Sequence, residues 1–352
     1  MPMNCVRDAK SGGAKSGTPS RPWSEILAPY AGSDNWRGLI ALSTTGLPFL
    51  ALLAVMLYGL SEGVWWSLLL AAPAAALLVR LFTIQHDCGH GSFFRSRRAN
   101  ALLGRVLGVF TLTPYAFWRR DHAVHHATSG NLERRGVGDI TTLTVREYLS
   151  LPRLRRLLYR VYRNPIILFG ISPAYQFLVR HRIPTGHPWR QRETWISVLG
   201  TNAALAAIVV TLGLTIGFVP LAVGYLPVIV PAATAGVWLF YVQHQFENTY
   251  WETDPSWDFH AAAIEGCSFY DLPRALHWLT GHIGFHHIHH LSTKVPSYRL
   301  YACFKENPEL WRAKRLSVWQ SLKCPMLALW DEEARRMVTF GQIRRMRRMV
   351  AA

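Results

Sequence analysis

The stretch GLIALSTTGLPFLALLAVMLYGL, residues 38–60, holds no Asp, Glu, Lys or Arg in its 23 positions. At about 1.5 Å rise per residue, a helix of that length covers the ~30 Å hydrocarbon core of a bilayer. A second apolar run, 64–84, follows the linker Ser61-Glu62-Gly63 and is broken only by Arg80, near its end. The long stem of that arginine allows it to snorkel toward the headgroups. So short a linker permits only a tight helical hairpin. A second pair, 196–219 and 221–242, lies within a stretch from Trp195 to Phe246 that also lacks Asp, Glu, Lys and Arg. Helices of soluble proteins run roughly 8–20 residues and keep a polar face; these four do not. The sequence therefore predicts an all-α integral membrane protein with four transmembrane helices in two hairpins. The apolar stretch from Ala101 to Trp118 is shorter and contains Arg105 and Pro114, so it reads as a re-entrant or interfacial helix.

The composition of the 352-residue chain agrees. Half of it is apolar and 17% is charged, against ~25% charged in a soluble domain. Disorder, a collagen-like chain and a disulfide-stapled scaffold are excluded. The 38 Lys and Arg outnumber the 21 Asp and Glu, giving a net charge of +17. Neither hairpin turn, near Ser61 or near Pro220, carries a basic residue. All the positive charge then falls on one side, which the positive-inside rule makes cytosolic, with both termini. Residues 1–24 read as a disordered cytosolic tail, for the first twenty are polar and lack the apolar core of a signal peptide. Residues 311–352 read as a basic, helical cytosolic tail. The five cysteines are scattered without a CxxC pair, which suits a reduced compartment. Basic runs at 153–163 and 344–348 accompany no nucleic-acid motif and suit anionic lipid instead.

Fifteen histidines are the strongest chemical signal. His86 and His90 fall in HDCGH, just after the second span. His122, His125 and His126 fall in HAVHH, and His286, His289 and His290 in HHIHH. Spacings of three and four residues put side chains on one helix face, so each cluster can aim two or three imidazoles at one place. By the topology above all three clusters are cytosolic. Zinc takes about four ligands, so eight histidines are too many for one zinc. HExxH and HxxEH are absent, and no Glu has a His three residues later, as soluble di-iron carboxylate bundles require. Two metals held mainly by neutral imidazoles remain, and iron is the natural choice for dioxygen chemistry.

The chain resembles the integral-membrane fatty acid desaturases, in particular the bacterial acyl-lipid and omega-6-like branch. The likeness rests on HDCGHGSFF (86–94), HAVHH (122–126) and GFHHIHHLS (284–292), with RRGVGDI (134–140) and VQHQFENTYW (242–251) between them. It covers roughly residues 25–310, with the histidine boxes on a cytosolic helical cap. It implies that the eight box histidines ligate two non-haem irons and that His244 supplies a further ligand. Glu247, one turn on, either orients a ligand or is a plain interfacial carboxylate. His282 and His287 fall outside the implied set: Gly284 weakens the helix before His286, and His287 turns about 100° from its neighbours. His181, His187, His260 and His277 are isolated and read as structural.

What the resemblance implies is insertion of a cis double bond into an acyl chain, with dioxygen and two external electrons. The substrate would be an acyl-lipid or acyl-thioester. The chain shows no haem, flavin or dinucleotide motif and its ends leave no room for a cytochrome domain. The expected donor is therefore separate, a ferredoxin or a b-type cytochrome, drawn to the basic face. No catalytic side chain beyond the ligands is expected, and the location implied is a bacterial inner membrane. Membrane hydroxylases and ketolases acting on carotenoids, sterols or alkanes share the boxes and form the alternative.

Overall fold

Asp34 opens the first long helix. Its carboxylate accepts the Trp36 and Arg37 amides at 3.0 and 3.2 Å, satisfying donors that a helix start leaves free. The computed structural model describes residues 21–186 and 190–350; residues 1–20 of the expected tail, Cys5 among them, and His187 lie outside the described residues. Helix α1 spans Asn35–Ser61. A 3₁₀ turn, Trp65–Leu70, leads into α2, Ala71–His90. Then come α3 (Arg97–Phe110) and α4 (Tyr115–Thr128), followed by α5 (Arg153–Tyr162), a π-helical turn at Ile167–Ile171 and α6 (Ser172–Leu178). The second long pair is α7 (Arg192–Ile216) and α8 (Phe218–His244), and the third box lies on α9 (His286–Leu291). Four segments are long and apolar enough to cross a membrane: Asn35–Ser61, Trp65–His90, Arg192–Ile216 and Phe218–His244.

In lipid the hydrophobic effect gives no gain when helix meets helix, so close packing and internal hydrogen bonds must hold the bundle. Helix α2 is central. It buries Ala74, Ala75, Leu78 and Leu81 against Phe49, Met56 and Leu60 of α1 and Val228, Ile229 and Ala232 of α8. Small residues on α2 let the neighbouring backbones approach. The outer helices expose apolar side chains, Leu47 and Val55 on α1 and Leu199 and Leu214 on α7.

Several boundaries differ from the sequence expectation. Helix α2 does not end at Ile84 but continues through the first box, to be closed by Gly91 at φ 71°. What ends near residue 84 is the apolar run; nothing in residues 85–90 breaks a helix, and a left-handed glycine does. The break between α7 and α8 falls at Gly217 (φ 94°), three residues before Pro220, which lies in the first turn of α8, where proline is tolerated. Helices α3 and α4, by contrast, meet at 104°, which agrees with the expectation that this segment is not a further straight span.

Arg80 does not snorkel. It is buried, and its Nε donates to Thr45 Oγ1 of α1 at 2.9 Å. The guanidinium also donates to the Trp278 carbonyl and lies 4.2 Å over the Trp278 ring. Its face of α2 looks into the protein, where partners are nearer than water.

The fold is mostly helical but not purely so. Strand β1 (Leu143–Thr144) pairs with β4 (Leu329–Asp331), which pairs with β5 (Arg336–Val338); β2 (Phe269–Asp271) pairs in parallel with β3 (Arg315–Ser317). The expected helical tail, 311–352, is thus folded back onto the domain over its described residues, and its longest helix among them is Phe340–Val350. Leu329, Trp330, Met337 and Val338 are buried, and Asp331 shapes the turn by accepting the Glu333 and Ala334 amides. Buried Arg163 fastens this segment to the bundle. It donates to the Thr141 and Leu327 carbonyls at 3.0 and 2.7 Å and to Tyr241 Oη of α8 at 2.8 Å. Among the described residues Cys88, Cys267, Cys303 and Cys324 are free and buried.

Candidate metal centre

Two turns at the end of α2 aim His86 and His90 the same way, and α4 does the same for His122 and His126. With His289 of α9 they form one set of five imidazoles. His125, His244, His286 and His290 form a second. In each set the candidate nitrogens all lie within 4.8 Å of one another. The nine sequence-predicted residues are all present, with no others among the described residues, but the boxes do not correspond to the sets. HAVHH divides, His122 and His126 facing one way and His125 the other, and HHIHH divides likewise.

Within the first set His122 Nε2 lies 3.1 Å from the Nε2 atoms of both His90 and His126, and His126 Nε2 lies 3.0 Å from that of His289. Within the second, His244 Nε2 is 3.2 Å from His125 Nε2 and 3.0 Å from His286 Nε2. A neutral imidazole has one donor and one acceptor, so hydrogen bonding alone cannot satisfy nitrogens that meet two others. A shared cation can. Two nitrogens ~2.1 Å from one ion lie ~3.0 Å apart at a right angle and ~3.4 Å apart at the tetrahedral angle. The shortest edges are compatible with one ion shared within each set, and the five imidazoles of the first set exceed the four ligands of structural zinc.

Burial supplies the lone pairs. His286, His289 and His290 are held well below the usual imidazole pKa, first by desolvation and then by neighbouring imidazoles, so they are neutral at physiological pH and free to ligate.

Orientation comes from residues beside the imidazoles. Asp139 accepts a hydrogen bond from His125 Nδ1, leaving Nε2 for the metal position. Its approach depends on Gly138, at φ 71°, where a Cβ would lie 2.7 Å from the Asp121 carbonyl oxygen and 3.1 Å from His125 Cβ. The Gly266 carbonyl faces His244 Nδ1 at 3.3 Å, and Trp118 stacks on His122 at 4.6 Å. Asp87 accepts the buried Ser297 amide at 2.8 Å, tying the first box to the chain after the third. Glu247 is exposed and pairs with Arg336 at 3.4 Å, away from both sets. His282 and His287 also lie outside them: His282 stacks with His277, and His287 packs against Phe304. His181 is buried against the Leu112 carbonyl, His277 Nε2 accepts the Leu272 amide, and His260 is exposed.

A cavity of about 880 Å³ reaches both sets, touching His86 and His122 of the first and His286 of the second. Apolar side chains line much of it, with Leu78 and Phe82 from α2 and Ile229, Ala233 and Phe240 from α8. A largely apolar pocket of this size suits a small-molecule ligand.

A bundle of membrane-length helices thus carries two sets of converging imidazoles able to hold metal, beside a largely apolar cavity. A sequence model of the fatty acid desaturases matches residues 63–322. A fatty acid desaturase of Bacillus subtilis (strain 168) is 41% identical over 318 residues, 90% of each chain. Two Synechocystis proteins, an sn-1 acyl-lipid omega-3 desaturase (ferredoxin) and an sn-1 oleoyl-lipid 12-desaturase, are 29% and 28% identical over 68% and 70% of this chain and 70% of their own lengths. The chain belongs to the fatty acid desaturase family and is an oxidoreductase.

Proposed function

We propose that this protein inserts a cis double bond into a membrane acyl chain at a centre of two non-haem irons. His86, His90, His122, His126 and His289 would hold one iron, and His125, His244, His286 and His290 the other. The observation that carries the reading is convergence: nine histidines from four helices form two sets that border one apolar cavity. Bound iron would supply the dioxygen activation that removal of hydrogen from an unactivated methylene demands. The chain's own residues bind and position. The walls from α2 and α8 hold the acyl chain beside His86 and His286 and keep water from it, Asp139 holds the His125 tautomer, and Trp118 holds the His122 ring.

The name of one Synechocystis relative includes ferredoxin, and an external donor of that kind, or a b-type cytochrome, would deliver the two electrons here. The substrate would be an acyl-lipid, and the site would face the cytosol of a bacterial inner membrane.

Gas-chromatographic profiling of a desaturase-deficient host expressing the protein tests the reaction. A new cis-unsaturated fatty acid is expected; a hydroxylated product would give the case to the hydroxylase alternative. Gly236 lines the cavity, and a Cβ there would meet nothing within 4 Å. Gly236→Ala should therefore leave the product unchanged, whereas Gly236→Trp should cut it or shift it toward shorter chains. An unaltered profile with tryptophan would remove the cavity from the reading.

Topology has its own test. Cysteines placed near Ser61 and Gly217 should react only with reagent outside the cytosol, and one at Glu333 only from inside. A turn labelled on the same side as Glu333 would break the two-hairpin arrangement.

A further inference from the structure

From Tyr148 through Arg192 the chain has nine arginines and no Asp or Glu. Helix α5 opens this segment. Leu154, Leu157, Leu158 and Val161, at the i, i+3, i+4, i+7 spacing of a single face, are 66%, 57%, 58% and 48% exposed. Arg153 and Arg155 flank that stripe on either side, and among the described residues no carboxylate pairs with either. The opposite face is used by the protein: Tyr159 is buried, and its hydroxyl donates to the Ala328 carbonyl at 2.7 Å.

The segment after α5 lies beside a membrane helix. Phe169 packs on Trp238 and Tyr241 of α8 with ring centroids 5.1 and 5.2 Å apart, and Thr234 Oγ1 donates to the Phe169 carbonyl at 3.0 Å. Thr234 lies ten residues before His244, the end of α8, about 15 Å along the axis. The chain from Ile166 onward is thus beside the fourth apolar segment, and it too turns apolar residues outward, Ile166 at 76% and Ile171 at 58% exposed. Its inner side walls the cavity with Leu168, Ser172 and Gln176.

We infer that α5 is an interfacial helix that seats its leucine stripe in an anionic lipid leaflet, with Arg153 and Arg155 on the phosphates. The occupant is a lipid surface because the stripe is continuous with a segment packed against a membrane helix and because its rim carries only positive charge. An amphipathic helix of this kind gains from apolar burial and from the charge of anionic lipid together, each arginine counting for about fivefold in the inserted over the displaced population. One wall of the cavity, with Leu168, Ser172 and Gln176, belongs to the segment that follows α5. Seating of α5 requires neither metal nor turnover.

The full chain, with Cys5 replaced by serine, is labelled with an environment-sensitive fluorophore at Leu158→Cys and separately at Glu333→Cys. The labelled proteins are placed in nanodiscs of phosphatidylcholine alone or mixed with phosphatidylglycerol, with and without lipid carrying a quencher near the carbonyl end of its chain. The Leu158 label should emit as in an apolar medium and be quenched, more strongly with phosphatidylglycerol, and the Glu333 label should stay unquenched. R153Q with R155Q should weaken quenching in the phosphatidylglycerol discs and leave the phosphatidylcholine discs nearly unchanged. A Leu158 label that is unquenched in both lipids, whether wet or shielded by a second copy, overturns the inference. Equal quenching in both lipids that ignores the arginine changes overturns the anionic preference.

Discussion

Replacing His86, His90, His122, His126 or His289 singly by alanine is expected to abolish the unsaturated product while the protein remains in the membrane. The same holds for His125, His244, His286 and His290. The bundle is held by packing of α1, α2 and α8, which none of these imidazoles supplies. Each instead completes a group of converging nitrogens. Losing a residue that merely orients a ligand costs about 10–100-fold, and losing a ligand should exceed that, leaving product at the level of the empty host. Metal content separates the two sets. Iron-replete wild type should carry about two irons per chain, while His122→Ala should empty the five-histidine site and keep the other, and His286→Ala the reverse. His260→Ala, exposed and outside both sets, should be close to neutral. Normal product from two or more of the nine variants would sink the assignment, and so would an active protein holding a single zinc.

Asp139→Ala should be the most damaging change outside the nine histidines. The carboxylate is buried beside His125 and accepts the proton of its Nδ1, which fixes the tautomer and aims Nε2 at the His244 nitrogen 3.2 Å away. Without it the ring can rotate or present the wrong nitrogen, so iron affinity of the four-histidine site and turnover should fall by about 10–100-fold. Asp139→Asn keeps an acceptor oxygen without the charge and should lie between wild type and alanine. The paired measurement is iron per chain and product per iron. An Asp139→Ala protein that holds both irons and turns over within about twofold of wild type would show that His125 needs no such partner.

Much of this was written in the order of residues. Apolar runs of more than twenty residues, one of them broken by Arg80 near its end, announced four membrane-length helices, because a bilayer core demands about that length. Spacings of three and four in HDCGH, HAVHH and HHIHH announced converging imidazoles, because a helix repeats its face at those steps. Even His244, outside the three boxes, was placed by its resemblance and stands among the nine converging nitrogens. Local sequence could not say where a helix stops once it leaves the apolar region, so α2 runs six residues past the apolar boundary to carry the first box. Nor could it pair segments far apart in the chain: β2 with β3, Arg80 with Trp278, Asp139 with His125. The division of nine histidines into five and four was equally hidden. Neighbours such as His125 and His126 differ by about 100° around their helix axis. Only the packing of α2, α4, α8 and α9 decides which histidines meet.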